Sequence, residues 1–355
     1  MAAQQRFIKL DGELLTIIIL TLFLVSGIQA ARAQVPDKDC SRTSVGLTPL
    51  VDFAPGEQYH NESGGLYGDG INELPATHPH WRQAYQATLS VIPRRSDGTI
   101  DRDHGRIGLV SIGMSNTRYE FDKFMDVAGL VKSRQVILVN GAQPGKVAST
   151  WAYPDPNDDP WQFLAAAVQQ ASLTSAQVQV VWLKQANAAP QPGVDDFPVY
   201  ARQLRDDMAV IVKRVRQIYP YVRLVYFSSR IYAGYTQAPL SPEPFAYEGV
   251  FSVRWLIQDQ MAGGGETGVT YANAPVLMWG PYLWADGTRP RSDGLVWDCA
   301  DVVDDGVHPS ESGKQKVAAM LLDFFTGDAP ARVWFSGGTL PEPPEMLIYL
   351  PITIN

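Results

Sequence analysis

The sequence has little positive charge and no cluster of it. Its 355 residues include 29 Lys and Arg against 37 Asp and Glu, which gives a formal net charge of −8. Proteins that bind nucleic acid need a positive footprint, so this composition argues against a nucleic-acid partner. It argues equally against docking on an anionic lipid surface. The chain also lacks internal repeats and any Gly-rich phosphate loop that follows a strand and opens a helix.

Long apolar runs are scarce, and the one candidate lies near the N-terminus. Arg6 and Lys9 precede apolar residues 14–28, and a small-residue pattern follows at 31–33. This is the layout of a secretory signal, with an apolar core too short for a comfortable membrane span. We therefore predict a signal peptide over residues 1–33 and a secreted or extracytoplasmic protein. An uncleaved N-terminal anchor is the alternative, because two acidic residues reduce the net positive charge before the apolar run.

Cysteine and histidine are rare, which limits the possible metal chemistry. Cys40 and Cys299 have no spacing typical of a metal site, and in an exported protein an even pair most simply forms a disulfide. Free thiols are the alternative. His78 and His80 lack recognisable further ligands and are expected to be solvated loop residues. We predict neither a metal nor a cofactor.

The chain divides into four parts. After the signal peptide, residues 34–104 are rich in turn-forming residues and predict a loop-rich lead-in without a core of its own. Residues 105–328 contain the regular secondary structure. Residues 329–355 are predicted to be a Pro-rich C-terminal tail that serves as an edge strand, a spacer or an attachment segment.

Short apolar runs alternate with helical patterns from residue 106 onward. Five runs have the length of strands buried on both faces, and they lie at 106–112, 135–140, 178–184, 222–228 and 275–280. Strands that alternate with helices indicate a parallel sheet covered on both faces. The predicted fold class is α/β, a three-layer α/β/α sandwich with a five-stranded parallel sheet. Ligands are expected at the carboxyl ends of the strands.

Ser115 follows the first of these strands, where substrate chemistry is expected. A serine hydroxyl needs a base to take its proton and a third group to fix that base. Two of the five histidines have an aspartate three residues earlier: His104 after Asp101, and His308 after Asp305. The first pair precedes strand one and would lie at the opposite sheet edge, whereas the second follows strand five. Asp305 and His308 are therefore the predicted partners of Ser115, and a helix-capping serine is the alternative.

The ordered set of residues resembles the SGNH (GDSL-like) hydrolases, whose fold is flavodoxin-like. The matching positions are Ser115 after strand one, Gly145 after strand two, Asn187 after strand three, and Asp305 with His308 before the last helix. The resemblance covers roughly residues 106–327. It implies a Ser-His-Asp triad and an oxyanion hole formed by the N–H groups of Ser115 and Gly145 and the side chain of Asn187.

Three positions depart from the family pattern. Met114 stands where the family has an aspartate beside the serine, and Lys184-Gln185 stand where it has a flexible glycine before the asparagine. Gly141 is a rival to Gly145 for the second block. These departures affect the predicted oxyanion hole more than the predicted triad.

The segments after strands four and five are rich in aromatic residues. We predict that they line the substrate site, because aromatic rings with polar tips stack on sugars or aryl groups. A cluster that merely stabilises long loops is the alternative. The predicted substrate-binding residues are Arg230, Tyr232, Tyr247, Glu248, Trp279, Tyr282 and Trp284.

Together these features predict a secreted serine hydrolase of ester bonds. The preferred substrate is an O-acyl group on a carbohydrate, either in a small molecule or in a polysaccharide. A lipase or aryl esterase is the nearest alternative. A non-catalytic glycan-binding module on a degenerate hydrolase scaffold is the alternative from a different class, and the departures at Met114 and Lys184 motivate it.

Overall fold

The computed structural model describes residues 38–340. The predicted signal peptide and residues 341–355 of the predicted tail lie outside the described residues. Within the described part of the chain, no helix is long and apolar enough to cross a membrane.

Five parallel strands form the central sheet. They are β3 (Ile107–Gly113), β4 (Val136–Asn140), β5 (Val178–Lys184), β6 (Leu224–Phe227) and β7 (Val276–Trp279), in the spatial order β4-β3-β5-β6-β7. All seven residues of β5 are buried, as expected for a strand with helices on both faces. The predicted α/β fold with a five-stranded parallel sheet is confirmed. This order is the flavodoxin-like one, and its switch point lies between β3 and β5.

Helices cover both faces of the sheet. They are α1 (Pro79–Leu89), α2 (Ser115–Ala128), α3 (Ala148–Ala152), α4 (Pro160–Gln170), α5 (Val199–Ile218), α6 (Phe245–Met261), α7 (Glu311–Gly327) and α8 (Ala329–Phe335). In one group, α1 contacts α8, α8 contacts α7 and α7 contacts α2. In the other group, α4 contacts α3, α3 contacts α5 and α5 contacts α6. The two groups form the outer layers of a three-layer sandwich.

Residues 38–104 belong to the same compact unit as the sheet. They form a two-strand hairpin of β1 (Gln58–Tyr59) and β2 (Glu62–Ser63), a 3₁₀ turn over Leu50–Asp52, and α1. Leu50 is fully buried in the main core. The segment therefore packs on the sandwich rather than forming a core of its own.

The predicted boundary at residue 328 divides two helices that contact each other. Asp328 caps α8 by accepting a hydrogen bond from the N–H of Ala331 at 2.8 Å. Phe335 is fully buried and its ring lies 5.2 Å from that of Phe325 in α7. The domain extends at least to the end of α8, and residues 329–335 are not part of a tail.

Candidate active site

Ser115 is the first residue of α2, directly after β3 and at the switch point of the sheet. The turn into the helix is tight at Gly113, where an added Cβ would lie 2.3 Å from Thr117 Oγ1 and 2.5 Å from the Lys184 carbonyl oxygen. Met114 is extended and precedes the first helical turn. The first N–H groups of a helix have no intrahelical hydrogen-bond acceptor. A negative charge beside Ser115 is therefore stabilised by the start of α2.

Ser115, His308 and Asp305 form one hydrogen-bonded chain. Ser115 Oγ lies 2.7 Å from His308 Nε2, and His308 Nδ1 lies 2.5 Å from Asp305 Oδ2. An ionised carboxylate only accepts hydrogen bonds, so Nδ1 carries the ring proton and Nε2 accepts from the serine hydroxyl. This arrangement can activate a serine nucleophile.

Asp305 is held ionised by its own loop. Its Oδ1 accepts from the N–H groups of Val307 and His308, both at 2.9 Å. Partial burial would raise the pKa of Asp305, but these bonds and that from the His308 ring outweigh it and lower the pKa to about 2. One loop of four residues thus presents both the carboxylate and the imidazole.

The rival pair of Asp101 and His104 lies elsewhere. His104 Nδ1 is 3.8 Å from Asp101 Oδ1, its side chain is 87% exposed, and Arg95 binds Asp101 at 2.7 Å. Neither residue lines the cleft that contains Ser115. Of the two pairs, the one of Asp305 and His308 is therefore the pair that contacts Ser115.

Gly145 and Gly141 have different surroundings. Gly145 lines the cleft with Ser115, is exposed, and has a φ of +75° with open space where a Cβ would lie. Gly141 is buried, and its N–H donates to Ser111 Oγ at 3.2 Å. The structure therefore leaves the N–H of Gly145, not that of Gly141, beside the cleft.

The side chain of Asn187 also lines the cleft and is held on two sides. Its Oδ1 accepts from the N–H of Ser149 at 3.0 Å, and its Nδ2 donates to Asp207 Oδ2 at 2.7 Å. An amide nitrogen carries two protons, so one N–H remains for a ligand. Asp207 was missed from the sequence, although an acidic residue three positions after Leu204 on the apolar face of α5 is a detectable signal.

The departures at Met114 and Lys184 have structural counterparts. Met114 lines the cleft, and the turn is held instead by Thr117 Oγ1, which donates to the Lys184 carbonyl oxygen at 2.7 Å. Lys184 Nζ lies 2.5 Å from both carboxylate oxygens of Glu120, and both side chains are fully buried. Burial raises the pKa of Glu120 and lowers that of Lys184, while each partner opposes the shift of the other.

The cleft has a volume of about 330 Å³ and a mostly apolar wall. Beside Ser115, Gly145, Asn187 and His308, it is lined by Met114, Asn116, Tyr119, Pro144, Val147, Ala188, Arg230, Leu240 and Val307. The ring of Tyr119 lies edge-on to that of His308, with centroids 5.9 Å apart. Such a wall suits the apolar part of a small substrate.

The aromatic residues predicted to line the substrate site are buried instead of exposed. Tyr232, Tyr247 and Trp284 have no exposed surface, and Glu248, Trp279 and Tyr282 are at most 5% exposed. Their polar tips bind the lead-in and neighbouring loops, as when Tyr232 donates to the Arg42 carbonyl oxygen. None of these six lines the cleft of Ser115, whereas Arg230 does. Their position agrees with the alternative of a loop-stabilising cluster.

His80 also differs from its prediction as a solvated residue. Its ring is buried between the Tyr271 hydroxyl at 2.6 Å and the Leu277 carbonyl oxygen at 2.7 Å. Burial lowers the pKa of His80 to about 4. Among residues 38–340, no three His, Cys, Asp or Glu side chains group in a way that could hold a metal ion.

Cys40 and Cys299 form a disulfide, as the sequence predicts. The bridge ties the start of the described chain to the 3₁₀ turn Cys299–Asp301, just before the loop of Asp305 and His308. Lys38 reinforces the same junction, because its Nζ donates to the carbonyl oxygens of Cys299 and Val302.

The strand order and the position of Ser115 at the switch point place the chain among the flavodoxin-like α/β folds. No family model matches the sequence, and no curated protein matches it. Solved structures do match, at low identity. A proposed acylhydrolase from Bacteroides fragilis is 14% identical, with a TM-score of 0.35 over 70% of this chain and 96% of its own.

Two further solved structures carry other activities. The periplasmic domain of a lipopolysaccharide acetyltransferase from Salmonella Paratyphi A is 12% identical, with a TM-score of 0.35 over 69% of this chain and 96% of its own. A carbohydrate esterase family 2 enzyme with a carbohydrate-binding domain from Corynascus thermopiles is 13% identical, with a TM-score of 0.36 over 61% and 64%. Values this low transfer no activity to this chain.

Proposed function

We propose that this protein is a secreted serine hydrolase of ester bonds, with Ser115 as its nucleophile. The observation that carries the proposal is the chain of short contacts from Ser115 Oγ through His308 to Asp305. Ser115, at one end of this series of contacts, lies in a cleft wide enough for a small substrate. A helix-capping role for Ser115 accounts for neither the imidazole nor the carboxylate behind it.

In the first half of the reaction, Ser115 Oγ attacks the ester carbonyl carbon while His308 Nε2 takes the hydroxyl proton. Asp305, as a positioning residue, fixes the ring and stabilises the imidazolium. When the tetrahedral intermediate collapses, the bond from carbon to the alcohol oxygen breaks and His308 returns the proton to the departing alcohol. Ser115 is left acylated.

In the second half, water attacks the acyl carbon while His308 accepts its proton. The bond from carbon to Ser115 Oγ then breaks, the proton returns to Oγ, and the free acid leaves. The N–H groups of Ser115 and Gly145 and the second N–H of Asn187 Nδ2 hold the negative oxygen in both intermediates. Each such donor typically contributes about 100- to 1000-fold in rate.

For the substrate we propose an O-acyl group on a carbohydrate or a similar polyol. The apolar wall of the cleft supports a short acyl chain. The predicted export supports an extracytoplasmic substrate, and the disulfide fits an oxidising compartment. The buried aromatic cluster no longer supports sugar stacking.

The test compares wild type with Ser115→Ala and with Ser90→Ala, a matched control at the end of α1. The substrates are p-nitrophenyl acetate, p-nitrophenyl esters of longer acids and an acetylated polysaccharide. We expect Ser115→Ala to lose at least about 1000-fold in kcat, with Tm preserved, and Ser90→Ala to match wild type. A fluorophosphonate should label only proteins that retain Ser115, as read by intact mass. Equal inertness of all three proteins, with binding to the polysaccharide retained, would instead support the glycan-binding module.

A further inference from the structure

Arg230 is a buried cation in the wall of the cleft. It follows β6, is 3% exposed, and lines the cleft with Ser115, Asn187 and His308. Its Nη1 donates to the Leu240 carbonyl oxygen at 2.9 Å. Its Nε and Nη2 are buried and have no hydrogen-bond partner within residues 38–340. Two of its three nitrogens are therefore unsatisfied.

Among residues 38–340, three of the four other buried arginines are paired with a carboxylate. Arg205 pairs with Glu266, Arg254 with Glu62 and Arg291 with Asp293. Arg94 has no such partner but stacks on the ring of Tyr221, with its guanidinium carbon 4.0 Å from the centroid. In the described part of the chain, Arg230 has neither a carboxylate within 4.0 Å nor an aromatic ring under its guanidinium.

The acidic groups around Arg230 are already engaged. Glu120 is bound by Lys184, and Asp305 is bound by His308. Glu243 accepts from the N–H groups of Ala233 and Tyr247 and from Trp284 Nε1, all at 2.9 Å. Burial lowers the pKa of Arg230, which reflects the cost of holding its charge away from water. An unpaired buried charge of this kind is destabilising until a partner arrives.

We propose that Arg230 binds an anionic group of the substrate, so that the preferred ester carries a carboxylate a few atoms from the scissile carbonyl. This inference rests on the proposed ester hydrolysis and adds a substrate class to it. A guanidinium matches a carboxylate in geometry and can donate two parallel hydrogen bonds to it. The apolar wall would contact the carbon atoms between the carboxylate and the ester.

The anion can belong to either side of the ester. In one case the acyl group is a dicarboxylic acid esterified at one end, and in the other the alcohol is a uronic acid. Arg230 must recognise the anion through short-range contacts. The protein as a whole carries a net charge of −8, so its long-range electrostatic field repels anions. Selectivity should therefore survive at high salt, as expected for a buried pair.

Two substrate pairs test the inference, each differing only in one charge. The acyl-side pair is mono-p-nitrophenyl glutarate and its methyl ester, and the alcohol-side pair is 2-O-acetylglucuronate and its methyl ester. We expect wild type to prefer the charged member of one pair by about 10- to 100-fold in kcat/KM. The pair that shows the preference assigns the anion to the acyl or to the alcohol side.

Arg230→Gln should abolish that preference, because the charged member should lose far more kcat/KM than the neutral member. Arg230→Lys should keep part of it, because an ammonium retains the charge without the planar pair of donors. Arg118→Gln is the matched control, since Arg118 is a partly exposed cation of α2 outside the cleft wall, and it should keep the full preference. A wild type without preference in either pair, or a preference that persists in Arg230→Gln, overturns the inference.

Binding measurements separate this inference from the proposed function. Calorimetric titration of glutarate and of glucuronate into Ser115→Ala, and into Ser115→Ala with Arg230→Gln, needs no turnover. If wild type hydrolyses no ester but a carboxylate binds only where Arg230 is present, ester hydrolysis fails and the anion site stands. If neutral esters are hydrolysed and neither acid binds, ester hydrolysis stands and the anion site is overturned.

Discussion

The side-chain amide of Asn187 donates a hydrogen bond to the buried carboxylate of Asp207 at 2.7 Å, across 20 positions of the sequence. Asn187 follows β5, whereas Asp207 lies in the third turn of α5 and is 4% exposed. Burial raises the pKa of Asp207, while the bond from Asn187 opposes that rise. The carboxylate therefore fixes which way the amide of the proposed oxyanion hole faces.

Removing the carboxylate of Asp207 should lower kcat and leave KM nearly unchanged. Asn187→Ala should cost about 100- to 1000-fold in kcat because it deletes a donor to the oxyanion. Asp207→Ala should cost less, since the amide remains but is free to turn. The double variant should resemble Asn187→Ala, because Asp207 acts only through that amide. Steady-state kinetics on one p-nitrophenyl ester measures all three.

Asp206→Ala is the control for this prediction. Asp206 is adjacent in α5, but its side chain is exposed and pairs with Arg205 at the surface. It should match wild type in kcat. If Asp207→Ala and Asp206→Ala are equally active, Asp207 does not position Asn187. If the effects of Asp207→Ala and Asn187→Ala multiply, the two residues act independently.

The buried pair of Lys184 and Glu120 should be sensitive to loss of either member. Glu120→Gln or Lys184→Met would leave one charge in the core unpaired and lower the free energy of unfolding by about 3–5 kcal/mol. Glu120→Leu combined with Lys184→Met should recover most of that loss, because two apolar side chains replace two charges. Urea denaturation measures these changes.

A surface pair serves as the comparison. Lys123 and Glu311 also form an ion pair, between α2 and α7, but the side chain of Glu311 is 59% exposed. Glu311→Gln should change stability far less than Glu120→Gln, because water screens the remaining charge. Similar losses at both sites would show that burial of the pair is not what makes it sensitive.

Gly141 and Gly145 are the two candidates for the oxyanion N–H, and we expect substitution of one to affect stability and of the other to affect activity. A Cβ at Gly141 would lie 2.3 Å from Leu164 Cδ1 and 2.8 Å from the Ser111 carbonyl oxygen, so Gly141→Ala should mainly lower Tm. Gly145 has open space but a φ of +75°, which side chains other than glycine rarely adopt. Gly145→Ala should move its N–H and lower kcat by at least about 10-fold at a modest cost in Tm. The reverse pattern would assign the oxyanion N–H to Gly141.

Local patterns in the sequence were sufficient to predict the five-stranded sheet and the order of the candidate site residues along the chain. The run at 178–184 is apolar at five of its seven positions and forms β5 as predicted. The carboxyl ends of parallel strands share one edge, and Ser115, Asn187 and His308 follow the first, third and fifth strands of the sheet in chain order. This placement predicts one cleft, and all three residues line it. The same argument rejected His104, which precedes β3.

Contacts between distant segments could not be predicted in this way. Lys184 meets Glu120 across 64 positions, and no local pattern distinguishes this buried pair from two exposed charges. The sequence predicts that the aromatic segments are exposed because they follow strands. The lead-in covers them instead, as in the hydrogen bond that Tyr247 donates to the Thr48 carbonyl oxygen. The helix α8 was missed because its seven residues are too short for a clear periodic pattern.

The disulfide should contribute to stability more than to catalysis. It closes a loop of 259 positions, so replacing Cys40 and Cys299 by serine should lower the free energy of unfolding by about 2–4 kcal/mol. The two hydrogen bonds from Lys38 still hold the junction before Asp305, so kcat should fall less than 10-fold, or by about 1.4 kcal/mol at most. Urea denaturation with and without reductant measures the first effect. Reductant should destabilise wild type and leave the double serine variant unchanged.

The carboxylate of Asp305 should make stability depend on acid pH in a defined direction. Its pKa is about 2 in the folded protein against an ordinary value of 3.8, so protons bind more tightly to the unfolded chain. The resulting stabilisation is fully present above about pH 4 and is lost as the pH falls toward about 2.

Asp305→Asn removes this titration while it preserves the size of the side chain. Wild type should therefore exceed the variant in Tm at pH 6, and the difference should shrink steadily between about pH 4 and pH 2 as the wild-type carboxylate takes up its proton. Thermal unfolding of both proteins across that range measures the difference. A constant difference would mean that Asp305 has the same pKa in both states, and the hydrogen bonds from His308 would then not stabilise its ionised form.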